Sequence, residues 1–443
     1  MKIQLSDHFT YSRLLRFVLP SIVMMVFTSI YSVVDGLFVS NFTGKEAFAA
    51  INLIMPFLQA FGCLGFMLGT GGSALVAMTL GTGDKKRANE LFSMLAVATV
   101  VLGLAMTALG LLVLRPVAVL LGASGTMLES CLVYGRILTL FQTAFMLQYF
   151  FQSFFIAAEK PHLGLTITIL AGLTNMVLDL VLVGVLHGGL VGAASATVLS
   201  QLVGGVVPLF YFGRKNNGSL LHFVRPRWDA RALGKACTNG SSELMSNLSS
   251  SVVGALYNWQ LLRLAGADGV AAYGVIMYVA FIFVAIFLGY SQGCAPILSY
   301  HYGASNRTEL QNLRRKSTVI VAVTGLAMLV CSELFASPLA RIFVGYDADL
   351  TALTTHAMQI YSLHFLICGF NIFGSGMFTA LNNGFVSAAI SFSRTFIFQS
   401  VMVLVLPLLF GLDGIWLAVV VAECCALAVT AFFVLRGKKT YGY

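Results

Sequence analysis

Charged residues are scarce in this chain of 443 residues: they make up 10% of it, against 58% hydrophobic residues. Soluble globular proteins carry about 25% charged residues, so this scarcity excludes that class. The content of 35 Phe residues excludes a disordered or collagen-like chain. Together with a mean hydropathy of +0.89, the composition indicates a polytopic membrane protein built from helices.

Signatures of disulfides, metal binding and enzyme chemistry are also missing. The eight Cys residues form no CxxC pair and no cluster with His, and seven of them lie in apolar runs. This distribution is typical of small packing residues. A membrane enzyme is an alternative class, but Gly240-Ser-Ser242 has no His in a neighbouring span that is placed to activate a nucleophile. We therefore expect neither an enzyme nor a resident cofactor.

Apolar runs fit about twelve membrane-spanning helices, since each needs about 20 apolar residues. These runs leave short loops and no room for a soluble domain. The first run is long enough to span and is not followed by a cleavage site, so we expect an uncleaved first helix. The predicted spans are 14–40, 52–80, 91–114, 130–156, 163–186, 189–212, 239–262, 270–298, 317–343, 357–381, 385–410 and 413–435.

The distribution of Lys and Arg predicts the orientation of these spans. With an inside N-terminus, the inside segments hold 20 of these residues and the outside segments hold 4. Because basic residues are enriched in cytoplasmic loops, we predict a multi-pass protein of the plasma or inner cell membrane with both termini in the cytoplasm. The same distribution accounts for most of the net charge of +9 without a nucleic-acid partner.

The two halves of the chain resemble each other. A shift of 222 residues aligns Gly71 with Gly293 and Gly81 with Gly303. It also aligns Gly44, Ala49, Ala50, Ile54 and Met55 with Gly266, Ala271, Ala272, Ile276 and Met277, and Gly189, Leu190, Gly192 and Ala196 with Gly411, Leu412, Gly414 and Ala418.

This repeat predicts an all-α membrane protein with two pseudo-symmetric six-helix lobes. The lobes are residues 1–212 and 239–443, and a basic cytoplasmic linker, 213–238, joins them. Parallel repeats of this kind are typical of transporters that hold a substrate between the halves and expose it to each side in turn.

A few charged residues lie inside the predicted spans, where they are costly and usually face a cavity or a partner. Asp35 lies near the outer end of the first span, and Asp179 and Thr197 lie at a similar depth, about 12 Å from the outer ends by helical rise. Asn175 precedes Asp179 by one helical turn, as Tyr31 precedes Asp35. We predict that these oxygens form a site for a proton or a hard cation such as Na⁺.

The repeat provides an internal control for this hypothesis. Asp35 and Asp179 align with Tyr257 and Val401 in the second half, and Asn175 aligns with Ile397. The shared architecture therefore does not require these acids, and we expect the coupling site in the first half only.

The second half carries charged residues of its own. Arg394 and Glu423 lie at about the same depth in adjacent spans, which favours a buried ion pair between two helices. Glu243 is predicted within about one turn of the inside end of the seventh span, where it could cap the helix or act as a further cation ligand.

Several segments resemble the multidrug and toxic compound extrusion (MATE) family, and the resemblance extends over essentially the whole chain. The resembling segments are Pro20, Tyr31–Val39, Gly44–Pro56, Gln152–Pro161, Asn175–Asp179, Gly192–Thr197, Ala380–Gly384 and Gly411–Trp416. Their order and spacing are more specific than any single segment, and they are similar to the bacterial branch that exports drugs.

The resemblance implies a V-shaped pair of lobes that exports cationic, amphipathic small molecules in exchange for Na⁺ or H⁺. In relatives a first-helix Asp, an Asn-x-x-x-Asp pair and a sixth-helix Thr bind the cation, and these match Asp35, Asn175, Asp179 and Thr197. Some relatives use a Glu in the middle of the seventh helix, but this region reads Ser249-Ser-Ser251 here. The secondary candidates are Tyr31, Gln152, Glu243, Arg394 and Glu423.

Other transporter classes remain as alternatives. A lipid-linked oligosaccharide flippase has a related fold, usually with extra helices or a more basic cavity. A major-facilitator transporter also has two six-helix halves, but Gly81-Thr-Gly-Asp84-Lys-Lys86 lacks the fuller basic pattern of its loop. For the efflux transporter we expect a monomer whose partners are its small-molecule substrates and membrane lipids.

Overall fold

Helices form nearly all of the chain in the computed structural model, which describes residues 3–42, 45–214 and 218–443. Nine helices in these ranges are long and apolar enough to cross a membrane, and two bent helix pairs qualify when each pair is taken together. The longest of the nine, Ala230–Gly303, contains two spans because its backbone leaves the helical conformation at Gly266. The described chain therefore has the twelve spans that the sequence predicts.

Six spans precede the linker. They are α1 (Tyr11–Phe42), α2 (Lys45–Gly81), α3 (Lys85–Leu120), α4 (Gly125–Leu140 and, after a 55° bend, Gln142–Ala157), α5 (Pro161–Leu178, continued by a π-helical turn at Asp179–Val185) and α6 (Gly189–Gly213).

Six more follow it. They are α7 and α8 (the parts of Ala230–Gly303 before and after Gly266), α9 (Arg307–Val344), α10 (Ala348–Ser362 and, after a 46° bend, Phe365–Ala380), α11 (Gly384–Phe392, a π-helical turn at Ser393–Phe398, and Gln399–Phe410) and α12 (Leu412–Tyr441).

The helices continue beyond the apolar runs that predict them, and several are interrupted. Gly266 has φ +62°, a left-handed conformation that only glycine adopts without strain, so α7 and α8 meet there without a longer loop. The two π-helical turns each insert wider backbone geometry into a span, a distortion that is common at functional sites. Gly44, which belongs to the predicted repeat, lies outside the described residues.

The segment between the lobes is shorter than predicted. Because α7 begins at Ala230, the last nine residues of the predicted linker 213–238 are helical, and residues 215–217 lie outside the described chain. The described part lies along α3, where Asn89 Oδ1 accepts from the His222 amide at 2.7 Å and Ser93 Oγ accepts from the Val224 amide at 2.9 Å. The amides of Ala232 and Arg231 and the Arg87 guanidinium donate to Asp229, and these contacts lower its pKa.

Both chain ends lie on one face of the molecule, which we call the terminal face, and Gln311 Nε2 donates to the Gly442 carbonyl there at 2.9 Å. Leu5 N–H donates to Glu159 Oε1 at 2.7 Å, and Phe9 N–H donates to Glu309 Oε1 at 2.9 Å. Lys316 Nζ donates to the Phe9 carbonyl at 2.6 Å. Since Glu159 lies in the first half of the chain and Glu309 in the second, the N-terminal segment connects the two halves at this face.

The halves also meet directly near the terminal face, through α2 and α8. A Cβ added at Gly81 would overlap the carbonyl oxygen of Tyr300, and a Cβ added at Gly303 would overlap the carbonyl oxygen of Met78. Both Gly81/Gly303 and Met78/Tyr300 are pairs related by the 222-residue shift. The contact is therefore reciprocal, as in an interface between two symmetric subunits, and its close backbone approach depends on the small residues.

Candidate cation site and inter-lobe pocket

A pocket of about 730 Å³ in the first half contains most of the predicted cation ligands. Tyr31 and Asp35 reach it from α1, Asn175 from the end of α5, and Thr197 from α6. The spacing of one helical turn within each of the pairs Tyr31/Asp35 and Asn175/Asp179 explains why two helices present two polar side chains each to this region. The structure thus brings together residues that are far apart in sequence.

Asp179 lies behind the pocket wall. It is fully buried, begins the π-helical turn of α5 and lies close enough to Asp35 for the two carboxyl groups to interact. In the described chain, both carboxyl oxygens of Asp179, both amide atoms of Asn175 and Asp35 Oδ1 are buried without a hydrogen-bond partner. Unpartnered buried polar atoms are costly, so this set has the donor chemistry of a cation or proton site.

The electrostatics of the cluster favour a positive ligand. Among the described residues, no Lys or Arg lines the pocket. Two adjacent carboxyl groups, one fully buried and one partly buried, cannot both remain charged at low cost, so a bound cation or a proton has to neutralise at least part of their charge. The described residues contain no group of three or more His, Cys, Asp and Glu side chains that could hold a metal ion. The oxygen donors here therefore suit a hard monovalent ion or H⁺ better than a transition metal.

Thr197 lines the pocket, but its hydroxyl proton is already used in a hydrogen bond within its own helix. Its hydroxyl donates to the Ala193 carbonyl at 3.0 Å, so its oxygen keeps lone pairs for a ligand. The fully buried Tyr134 of α4 interacts with Thr197 and lies near both carboxyl groups. Gln152, by contrast, does not line this pocket: it is buried on α4 with Oε1 unpartnered.

Several polar residues of the pocket were missed in the sequence. They include Gln59 of α2, Gln142 and Gln148 of α4 and Gln201 of α6. Tyr134, which lies beside the pocket near its carboxyl groups, was missed as well. Their amide and phenol groups carry no charge, and the search considered charged residues in apolar runs. A search for amides in such runs would have found the four Gln residues, but Tyr134 is one of 15 Tyr residues and has no distinguishing pattern.

The predicted ion pair of the second half is confirmed. Arg394 Nε donates to Glu423 Oε1 at 2.8 Å, and Glu423 is 1% exposed. The other carboxyl oxygen accepts from Asn371 Nδ2 at 2.7 Å, and Asn371 Oδ1 accepts from the Thr430 hydroxyl at 2.8 Å. The carboxylate is therefore paired and hydrogen-bonded, the two conditions under which a buried charge is tolerated.

Breaking this pair should have a large effect on stability. We expect Arg394→Met or Glu423→Gln alone to cost about 3–5 kcal/mol, because either change leaves a buried group uncompensated. The double variant should lose less than the sum, since groups in contact are coupled. Thermal unfolding in detergent of the four proteins of this cycle measures the coupling, and strictly additive losses would contradict it.

The predicted position of Glu243 is wrong. It lies thirteen residues after the start of α7, about 20 Å along the helix, and not within one turn of its end. The error arose because the basic residues before it were assigned to the linker, whereas α7 extends through them. Glu243 lines a pocket of about 500 Å³ with residues of α1, α2, α8 and α10, so this pocket lies between the two halves.

Comparisons with known proteins agree with this architecture. The MatE family model matches residues 20–181 and again residues 244–405, which together make up more than half of the chain. The multidrug export protein MepA of Staphylococcus haemolyticus (strain JCSC1435) is 24% identical over 97% of this chain and 95% of its own. MepA of Staphylococcus saprophyticus is 23% identical over 96% of this chain and 94% of its own.

Solved structures show the same fold. An outward-facing multidrug resistance MATE family transporter of the MOP superfamily has a TM-score of 0.92 at 22% identity, covering 98% of this chain and 97% of that one. A MOP superfamily transporter from Pyrococcus furiosus Vc1 has a TM-score of 0.88 at 22% identity, with the same coverage.

Twelve helical spans in two related halves, with buried polar clusters and a pocket between the halves, define a multi-pass membrane transport protein. Within that class, the repeated match to the family model shows that the chain belongs to the MatE family.

Proposed function

We propose that this protein is a secondary active multidrug efflux antiporter, which exports cationic amphipathic compounds in exchange for Na⁺ or H⁺. The observation that carries the proposal is a pair of adjacent carboxyl groups, the partly buried Asp35 in the pocket and the fully buried Asp179 behind its wall. Among the described residues that line this pocket there is no Lys or Arg. Both MepA relatives are named as multidrug export proteins.

The position of the cation site in the first lobe explains how ion binding is coupled to the change between the two transport states. Closure of the halves at the terminal face changes the surroundings of α1, because α1 packs on α8 while its other end carries Asp35. An ion can shift the equilibrium between two states only if it binds them with different affinity. An α1 segment that contacts both the ion ligands and the opposite half is suited to produce such a difference.

The inter-lobe pocket has the composition expected for organic cations. Met25 and Phe66 supply polarisable and aromatic surface, and Glu243 supplies a carboxylate. Flat cations bind aromatic faces and adapt to methionine side chains. We propose that this pocket takes part in drug binding and that the cation cluster around Asp35 is separate from it.

Reconstitution into proteoliposomes tests the proposal. Ethidium efflux should be driven by an inward Na⁺ gradient or by an inward proton gradient, each imposed alone, and should stop when that gradient is collapsed. The response identifies the coupling ion. Absence of efflux under both gradients would overturn the antiporter and favour the flippase alternative.

We also propose that the terminal face is cytoplasmic, as the distribution of Lys and Arg predicts. Thr82, exposed in the α2–α3 loop on that face, and Ser124, exposed in the α3–α4 loop on the opposite face, form a matched pair of test positions. In a cysteine-free background, Ser124→Cys should react with an impermeant thiol reagent on intact cells and Thr82→Cys should not. The reverse labelling pattern would contradict this orientation.

A further inference from the structure

The described part of the linker, together with the first turn of α7, presents a patch of exposed side chains. Arg225, Arg227 and Arg231 are exposed, and Trp228 among them is 59% exposed. Within the described chain, none of the three guanidinium groups forms an ion pair or a hydrogen bond with the protein. We call these four residues the linker patch. Its charged groups take no part in holding the fold together.

The acid beside these arginines does not neutralise them. Asp229 accepts from the Arg87 guanidinium, and it caps the start of α7 by accepting from the amides of Arg231 and Ala232. It is also the only Asp or Glu in the sequence from residue 218 to residue 242. The linker patch is therefore a surface of net positive charge.

Contacts with α3 fix the depth of the linker patch. Phe223 stacks on Phe92 with ring centroids 5.0 Å apart, and the Asp229 amide, next to Trp228, donates to Met94 Sδ at 3.2 Å. Both contacts lie in the turn of α3 at residues 92–94, whose side chains are buried beneath their neighbours. The patch is thus held at the level of this turn.

The lipid-facing side of α3 begins directly beyond this turn. Val97 is the first exposed apolar residue of the helix, and Val101 and Leu104 continue an exposed apolar stripe along it. Three residues separate Met94 from Val97, which is about 5 Å of helical rise. The linker patch therefore lies at the boundary of the bilayer, the level at which Trp side chains are enriched in membrane proteins.

The repeat shows that the architecture does not require these arginines. Under the 222-residue shift, Arg225, Arg227 and Arg231 correspond to Ile3, Leu5 and Phe9. Leu5 and Phe9 are fully buried, so this part of the repeat turns apolar side chains into the protein in the first half and cations outward in the second. The predicted orientation does not need them either, because 17 inside Lys and Arg residues would remain against 4 outside.

We propose that the linker patch binds the headgroups of anionic lipids in the adjacent leaflet, with Trp228 inserted at the headgroup level. Guanidinium groups form paired hydrogen bonds with phosphate oxygens, and these three are free to do so. Basic residues beside a membrane are attracted by anionic lipids over about one Debye length, a distance that the position on α3 satisfies. Bound lipid would hold the connection between the two lobes at the membrane surface.

Quenching of tryptophan fluorescence by brominated lipids tests the inference, because bromine quenches at contact distance. Of the three Trp residues, Trp416 is fully buried and Trp259 is exposed, so Trp259→Phe is the parent protein. It is reconstituted at full length into vesicles of phosphatidylcholine and phosphatidylglycerol, in which equal numbers of either lipid are brominated. Brominated phosphatidylglycerol should quench Trp228 about fivefold more efficiently, as for one arginine beside an anionic surface. Trp228→Phe in the same background identifies the signal of Trp228.

The charges of the patch should carry this preference. In Arg225→Gln/Arg227→Gln/Arg231→Gln the ratio of the two quenching efficiencies should fall to about one. Brominated phosphatidylcholine should still quench Trp228 in this variant, because the indole remains at the interface. High salt should lower the ratio in the parent protein, since it screens exposed charges.

A control variant removes the same number of charges elsewhere. Arg436→Gln/Lys438→Gln/Lys439→Gln changes three exposed cations at the end of α12 and should keep the parent ratio. Equal quenching by both lipids in the parent, a preference that the linker variant retains, or an equal loss in the control would overturn the inference. So would absence of quenching by either lipid, since Trp228 would then lie outside the bilayer. None of these outcomes bears on the proposed efflux function, because no transported compound is present.

Discussion

Asp35→Asn and Asp179→Asn are each expected to abolish gradient-driven export while protein amount and thermal stability stay near the wild-type level. Asn keeps the size of the side chain and removes the charge that attracts a cation. The two carboxyl groups lie together, and no Lys or Arg lines the adjoining pocket within the described part of the chain, so removing one charge relieves repulsion and desolvation. A slight gain in stability is consistent with this argument.

Ethidium efflux from proteoliposomes under separate Na⁺ and pH gradients measures the effect. Asp268→Asn, at an exposed acid near the start of α8, is the matched control and should export normally. Wild-type rates in both site variants under either gradient would place the coupling site elsewhere. Glu243 would then be the next candidate, because it lines the inter-lobe pocket.

The neutral ligands should have smaller effects. Asn175→Ala and Thr197→Ala remove an oxygen from the cluster and leave both carboxyl groups in place. We expect weaker cation affinity, seen as a higher ion concentration for half-maximal efflux, with transport retained at saturating ion. Complete loss of transport in both variants would show that coordination by neutral oxygens is required for coupling.

The sequence predicts the cluster well because depth and helical spacing are simple functions of residue number. Asp35 and Asp179 lie in different helices, yet each has a polar neighbour one turn earlier, and charged residues in apolar runs are few. The repeat then separates these acids from residues that the fold requires. In the second half, the position of Asp35 is taken by Tyr257, which is buried and stacks on Tyr273 with ring centroids 4.9 Å apart.

The interruptions of the helices could not be predicted in the same way. The 55° bend of α4 and the 46° bend of α10 have no proline at the break. The two π-helical turns each contain one charged residue, Asp179 or Arg394, and neither contains a proline that would indicate a change of helix geometry. These distortions depend on packing between helices far apart in the chain. The ends of helices are also hard to predict, as Glu243 shows. A helix that continues past the membrane carries basic residues, and in a sequence such residues usually indicate a loop.

The mutual contact of Gly81 and Gly303 predicts how larger side chains at these positions affect the transport cycle. In a protein that alternates between two states, the state closed at the terminal face contains this contact, and the state open there does not. A side chain at Gly81 overlaps the backbone carbonyl of Tyr300, and a backbone atom cannot move aside by changing rotamer. Gly81→Leu should therefore destabilise only the closed state and shift the population toward the open one.

We expect Gly81→Leu and Gly303→Leu to abolish efflux, and Gly81→Ala to reduce it, because the overlap begins at Cβ. A cysteine at Gln292, which lines the inter-lobe pocket, should label faster from the terminal face in these variants. Gly234→Leu is the matched control: this glycine is exposed on α7 near the same face and has no atom within 4 Å of an added Cβ. It should export and label like the wild type. Unchanged labelling at Gln292 in the Gly81 variants, with protein that elutes as a single folded species, would mean that close approach of α2 and α8 does not control access to the pocket.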